Sequence, residues 1–246
     1  MARHIPKYGI FIIESMDWDN ERAGNLDGVA LKTILDLSEI PNDYIYIRTR
    51  LEFEHAIDLF HDSDFGFLHI SCHGNEDGLS FTLEDVSFED LEMIMGPHLK
   101  YRRLFLSACK AACFAFAEHF IPKHHCYSIM GPPGTIDYDK AAIFWSSYYY
   151  LMYQDDKERM WQRNIIPTLK NITQTFSETL NYFSIINERY PSAKACLREL
   201  RFESGDKAFD KVRRTRFDNL YWEDAIANDD MRQEALPEPT TVTPMS

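Results

Sequence analysis

Two apolar runs, each stopped by a chemically active residue, constrain this chain most. The first, Phe65 to Ile70, is of strand type and leads into His73-Gly74. The second, Arg103 to Ser107, leads into Cys109, thirty-six residues after His73. A strand apolar on both faces belongs to a parallel sheet covered on both sides. In such open α/β sheets ligands bind at the carboxyl ends of the strands. A histidine and a thiol at two such ends are expected to face one crevice as a Cys–His pair.

The remaining segments supply a frame for the pair. Tyr8 to Glu14 reads as a buried strand, followed by a polar loop from Ser15 to Gly24 that contains Asp17 and Asp19. Asn25-Leu-Asp27 offers helix-cap chemistry before Val29, Leu31, Ile34 and Leu35 at helical spacing. A strand at 44–47 and a helix at 51–60 follow, which gives the alternation of a βαβ fold and a mostly parallel sheet flanked by helices. Leu79 to Val86 reads as a short hairpin, Phe88 to Met95 as a helix, and Cys126 to Met130 as a further strand. Lys110 to Phe120 reads as a helix starting at Cys109, which would place the thiol where the helix dipole favours a thiolate. An aromatic helix is expected from Ala141 to Tyr153. We divide the chain into a core at 1–153, a helical C-terminal region at 154–222 and a polar, disordered tail at 223–246.

Composition narrows the class. The opening residues lack a signal-peptide layout, and no apolar run approaches the length of a membrane span. The expectation is a cytoplasmic protein that does not enter a membrane. Cysteines 72, 109, 113, 126 and 196 are odd in number and lack framework spacing, so disulfides are not expected. Between Leu51 and Leu99 there are twelve acids and no lysine or arginine. A surface of that sign around His73 would repel nucleic acid and attract a basic partner. His69 and His73 share a strand face and, with Cys109 and Cys113, offer zinc-type ligands. The close C-x2-C pair usual in zinc sites is missing, so neither metal nor cofactor is expected. Cys72 should point to the opposite face, into the core.

In order, these motifs are a strand with His73-Gly74, a strand with Leu106-Ser-Ala-Cys109, and Ile129 to Met152 as strand, Gly/Pro turn and aromatic helix. The set resembles the caspase–separase group of cysteine peptidases, most closely the bacterial CHAT domains, over residues 8 to 153. The resemblance implies a caspase-hemoglobinase-like sheet, a protein substrate and an activating partner or ligand. It also implies roles. Cys109 would be the nucleophile and His73 the acid/base. Ser107 stands where caspases and metacaspases carry Gln or Asp in the primary specificity pocket. Asp137 and Asp139 lie near the turn where separase-like members hold an acid against a basic side chain, although the best register puts Ile136 there.

The chemistry expected of the pair is acyl transfer. The thiolate attacks a carbonyl, and the histidine protonates the leaving amine and then activates water. The backbone N–H groups of Gly74 and Cys109 would hold the oxyanion, each such donor contributing about 2.7–4 kcal/mol. The acidic surroundings favour cleavage after basic residues. An inactive caspase-like scaffold that only binds is the alternative.

Overall fold

A computed structural model describes residues 6–155, 160–187, 195–203 and 209–213. The elements in chain order are β1 (Lys7–Ser15), α1 (Trp18–Ala23), α2 (Asp27–Leu37), β2 (Asn42–Tyr46), α3 (Arg50–Ser63) and β3 (Phe65–Gly74). Next come β4 (Gly78–Ser80), β5 (Asp85–Ser87), α4 (Phe88–Met95), β6 (Arg103–Ser107) and α5 (Phe114–His124). The last are β7 (Ser128–Gly131), α6 (Tyr138–Asp155), α7 (Gln162–Phe176), β8 (Leu180–Asn187), β9 (Ala195–Phe202) and β10 (Phe209–Arg213).

The fold is a mixed sheet, mostly parallel through its centre and flanked by helices on both faces. Its strand order is β10-β9-β8-β7-β6-β3-β1-β2. Along this order the pairings from β2 to β7 are parallel, β8, β9 and β10 extend the sheet antiparallel, and the β4–β5 hairpin pairs antiparallel with the end of β3. The burial of β1 and β3 on both faces explains their unbroken apolar runs. One face packs Phe11, Ile13, Leu68 and Ile70 against α3, α4 and α5. The other packs Ile10, Ile12, Phe67 and Phe105 against α2, α6 and α7. On that second face Trp145, Tyr148 and Tyr149 of α6 are fully buried core residues, whereas the next residue, Tyr150, is exposed. An apolar groove of about 630 Å³ runs between α2, α6 and α7 on the outer side of this layer, lined by Ile34, Ile143, Tyr150 and Leu151 among others. No helix among the described residues is long and apolar enough to cross a membrane.

Several local expectations are corrected. The C-terminal region is not all helical: α7 is followed by three strands. Leu180 to Asn187 is rich in aromatic and β-branched residues, a composition that fits a pleated surface better than a helix. The loop after β1 contains α1, capped by the Asp17 carboxylate, which accepts from the Asn20 N–H at 2.8 Å. At the start of α2 the expected local cap is not used. Its free N–H groups at Gly28 and Val29 go instead to the buried Glu14 carboxylate, at 2.8 and 3.2 Å. The tail lies outside the described residues, as does the Cys196 side chain.

Candidate active site

The sheet register builds the site. Ser15 of β1 pairs with Cys72 of β3, and Ser71 of β3 pairs with Ser107 of β6. Two residues beyond these last pairings stand Asp17, His73 and Cys109. Neighbouring strands lie about 4.8 Å apart, so three adjacent strand tips carry a carboxylate, an imidazole and a thiol. Contact between the second and third tips is close. A Cβ on Gly74 would come within 2.9 Å of the Cys109 carbonyl oxygen and 3.1 Å of the Ala108 Cβ. Only glycine leaves room for that approach.

Cys109 does not begin a helix. Lys110 adopts a left-handed backbone with φ of 59° and donates its N–H to the Gly134 carbonyl at 2.9 Å. The chain turns sharply there, and α5 begins only at Phe114 with Cys113 as its N-cap. The helix-dipole activation expected for Cys109 is therefore absent. The thiol is half-buried and donates weakly to the Ile136 carbonyl at 3.9 Å, in the turn after β7. Behind this loop, the Asn181 side chain of β8 donates to the buried Ala112 carbonyl at 2.9 Å, and Arg201 of β9 holds Asn181 at 2.9 Å. The antiparallel strands thus brace the thiol-bearing turn.

His73 is partly exposed, and its Nε2 lies 2.9 Å from Asp17 Oδ2 and 3.0 Å from the Tyr138 hydroxyl. The Asn20 amide donates to both of those partners, at 2.8 and 2.9 Å. The Asn20 backbone N–H, then its side chain and His73, hold the Asp17 carboxyl below its ordinary range. Burial, followed by the charges of Asp17, Cys109 and Asp27, pushes the Tyr138 phenol up to about 12, so it stays protonated.

Beneath the pair lies a buried acid. Asp27, at the first turn of α2, accepts hydrogen bonds from the Ser71 hydroxyl and, at 2.7 Å, from the Ser107 hydroxyl. Burial drives its carboxyl upward against the help of both serines. The neighbouring Glu14 is raised to about 7, first by burial and then by the charge of Asp27.

The structure therefore places His73, Gly74 and Cys109 at adjoining strand tips and leaves Ser107 buried beneath them against Asp27. It leaves Asp137 and Asp139 on the exposed side of Tyr138, where Asp137 pairs with Lys140 at 3.4 Å and Asp139 accepts the Lys140 N–H at 2.9 Å. His69 is in the core against Tyr149 and Trp145. Cys72 is core too, its thiol pushed far up by burial, and Cys113 packs at the edge of the same cluster. No metal-holding group of His, Cys, Asp and Glu occurs among the described residues. Asp17, Asn20, Asp27 and Tyr138 were not singled out from sequence as site residues. The signal for Asp17 was available: Asp-Trp-Asp-Asn directly after a strand is an N-cap pattern at a strand tip.

No family model matches the chain, and neither does any curated protein. Among solved structures it is similar to caspase-1 from Spodoptera frugiperda, with 16% identity, covering 71% of this chain and 79% of that one, at a TM-score of 0.45. It is also similar to the Arg-specific cysteine proteinase gingipain R, with 7% identity, covering 83% of this chain and 66% of that one, at a TM-score of 0.46.

Proposed function

We propose that the chain is a cysteine endopeptidase that cleaves a protein partner after basic residues. The observation that carries this reading is the meeting of His73-Gly74 and Cys109 at the tips of β3 and β6. Cys109 gives its proton to His73 and attacks the scissile carbonyl carbon, and the oxyanion is held by the backbone N–H groups of Gly74 and Cys109. The tetrahedral adduct collapses to a thioester as His73 returns the proton to the leaving amine. His73 then takes a proton from water, which hydrolyses the thioester and regenerates the thiol.

The preference for basic residues rests on Asp27 rather than on Asp137 or Asp139. A desolvated carboxyl flanked by the two serine hydroxyls has no cation among its hydrogen-bond partners. An arginine or lysine side chain entering past Ser107 would supply the missing charge and restore the ionised acid. The acidic stretch between Leu51 and Leu99 adds long-range attraction of the same sign. The family resemblance further implies control by a protein partner or ligand.

The test is labelling by acyloxymethyl-ketone peptides carrying Arg, Lys or Asp at the reactive position. We expect Arg and Lys probes to label the wild type on the order of 100-fold faster than Asp, the scale of a lost buried charge pairing. Labelling should vanish in Cys109→Ala and His73→Ala, and Asp27→Asn should erase the preference. Full labelling of Cys109→Ala would remove Cys109 as nucleophile. A wild type that stays unlabelled, also with cell lysate added, would be a caspase-like binding scaffold.

A further inference from the structure

Nε2 of His73 has three polar neighbours, the Asp17 carboxylate at 2.9 Å, the Tyr138 hydroxyl at 3.0 Å and the Asn20 amide nitrogen at 3.5 Å, while Nδ1 has none among the described residues. The donor count decides which nitrogen carries hydrogen. Asp17 is a carboxylate and can only accept. The Asn20 N–H occupies its Oδ1, and the Asn20 amide, with His73, occupies Oδ2. The Tyr138 oxygen accepts from the same Asn20 amide, and its rotatable O–H fits either ring state, so the carboxylate decides. A bare Nε2 would set its lone pair 2.9 Å from a carboxylate oxygen, lone pair against lone pair. Nε2 therefore bears the hydrogen, and Nδ1 is left as the basic edge.

We infer that Asp17 and Tyr138 are positioning residues that hold His73 in the Nε2–H tautomer, leaving Nδ1 to take the proton of Cys109. The inference deepens the peptidase reading and rests on it for its purpose, though not for its geometry. The clamp joins three elements: the turn after β1, the tip of β3 and the first residue of α6. Asn20 closes it into a ring by donating to both clamping groups. The opposite tautomer would present Nδ1–H to a thiol that needs an acceptor, and the first proton transfer could not start. Once His73 is protonated, the Asp17 carboxylate faces the imidazolium and stabilises it. Tyr138 meets the same ring edge and fixes it without adding charge.

The experiment uses full-length protein with histidines labelled by 15N, in a Cys109→Ala background, with His73→Gln identifying the His73 signals. Expected are the nitrogen shifts of an Nε2–H tautomer for His73. They should move toward Nδ1–H in Asp17→Asn, because the amide offers hydrogens to Nε2. Asn serves as well as Asp at an N-cap, so α1 is retained in that variant. With Cys109 present, Asp17→Asn should lower kcat about 100-fold with KM within about twofold, less than the roughly 10⁴-fold cost of a wrong tautomer at a fully buried acid. Tyr138→Phe should keep the tautomer and lower kcat about tenfold. Unchanged nitrogen shifts in Asp17→Asn, or an unchanged kcat in both variants, would overturn the inference. Because the nitrogen measurement needs no turnover, a protein without hydrolytic activity would refute the peptidase reading while the tautomer result still decided the clamp.

Discussion

His69 and His73 stand four residues apart on the same face of β3, and each meets a tyrosine hydroxyl of α6 at 3.0 Å. Here the likeness stops. His69 is fully buried, edge-on to Trp145 and Tyr149, and burial alone depresses it to about 3. His73, at the strand tip, is partly exposed and has a carboxylate on the ring edge that its tyrosine shares. The pair shows what makes a histidine usable. Position on a strand face brings both to the same helix, but water on one side and a charge on the other are found only at the tip. The interior residue is a packing group with a polar atom, and its Nε2 has no hydrogen-bond partner.

Truncating each histidine should separate the two roles. His73→Ala should lose about 10²–10⁴-fold in peptide cleavage, the range for removing a general acid–base. As a partly exposed side chain it should change stability by no more than about 0.5 kcal/mol. His69→Ala should do the reverse, leaving kcat of the folded protein within about threefold. Its cost, on the order of 3 kcal/mol, is that of a buried ring truncated to a methyl group. Cleavage assays and urea unfolding on the two variants read the crossing. A stability loss in His73→Ala equal to that in His69→Ala would show that both histidines serve packing.

The same contrast explains what was legible beforehand. The runs around Phe67 and Leu104 announce buried parallel strands because both faces are covered, so apolar residues are continuous and the chemical residue that ends each run stands out. From that, His73, Gly74, Cys109 and the central sheet could be placed. The turn after Cys109 could not. Nothing in Lys-Ala-Ala-Cys opposes a helix, and the left-handed Lys110 is imposed by its tertiary hydrogen bond to Gly134. The strands β8 to β10 were hidden for a related reason. They add to an existing edge, so their register is set by β7 across the sheet, while the charged residues of β9 and β10 mimic a solvated helix. Asp27 reads as a helix cap in sequence because its partners in the fold, Ser71 and Ser107, lie 44 and 80 residues away.

Burial of His69 also makes stability depend on pH. The folded pKa of His69 is depressed from 6.5 to about 3, so the unfolded chain binds the extra proton first. Its contribution is fully present above pH 6.5 and is lost as pH falls toward 3, at about 1.4 kcal/mol per pH unit. Glu14 has the opposite sign. Its folded pKa is raised from 4.5 to about 7, so its contribution is present below pH 4.5 and is lost as pH rises toward 7. Between pH 5 and 6.5 these two slopes cancel in the wild type. His69→Gln should therefore become less stable than wild type, by about 2 kcal/mol across that interval, as pH rises. Glu14→Gln should become more stable by a similar amount over the same rise. Urea midpoints at the two pH values decide it, and parallel profiles for both variants would mean that neither group is held in the protonation state that burial imposes.

The smallest expected effect concerns the tip itself. An l-residue in the left-handed region costs about 1–2 kcal/mol, and such strain persists only where surrounding structure insists on it. Lys110 carries that strain one residue after the thiol, held by its N–H on Gly134. Glycine adopts the same backbone freely but adds unfolded-state entropy, so the two effects partly offset. Lys110→Gly should stabilise the protein by about 0.5–1 kcal/mol, whereas Lys110→Ala, which keeps the Cβ, should be near neutral. If the turn only has to be formed, kcat is unchanged in both variants. If its rigidity aims Cys109, Lys110→Gly gains stability and loses turnover while KM stays in place. A strained tip beside an unstrained interior would then be the second respect, after the Asp17 carboxylate, in which the crevice differs from the core four residues below it.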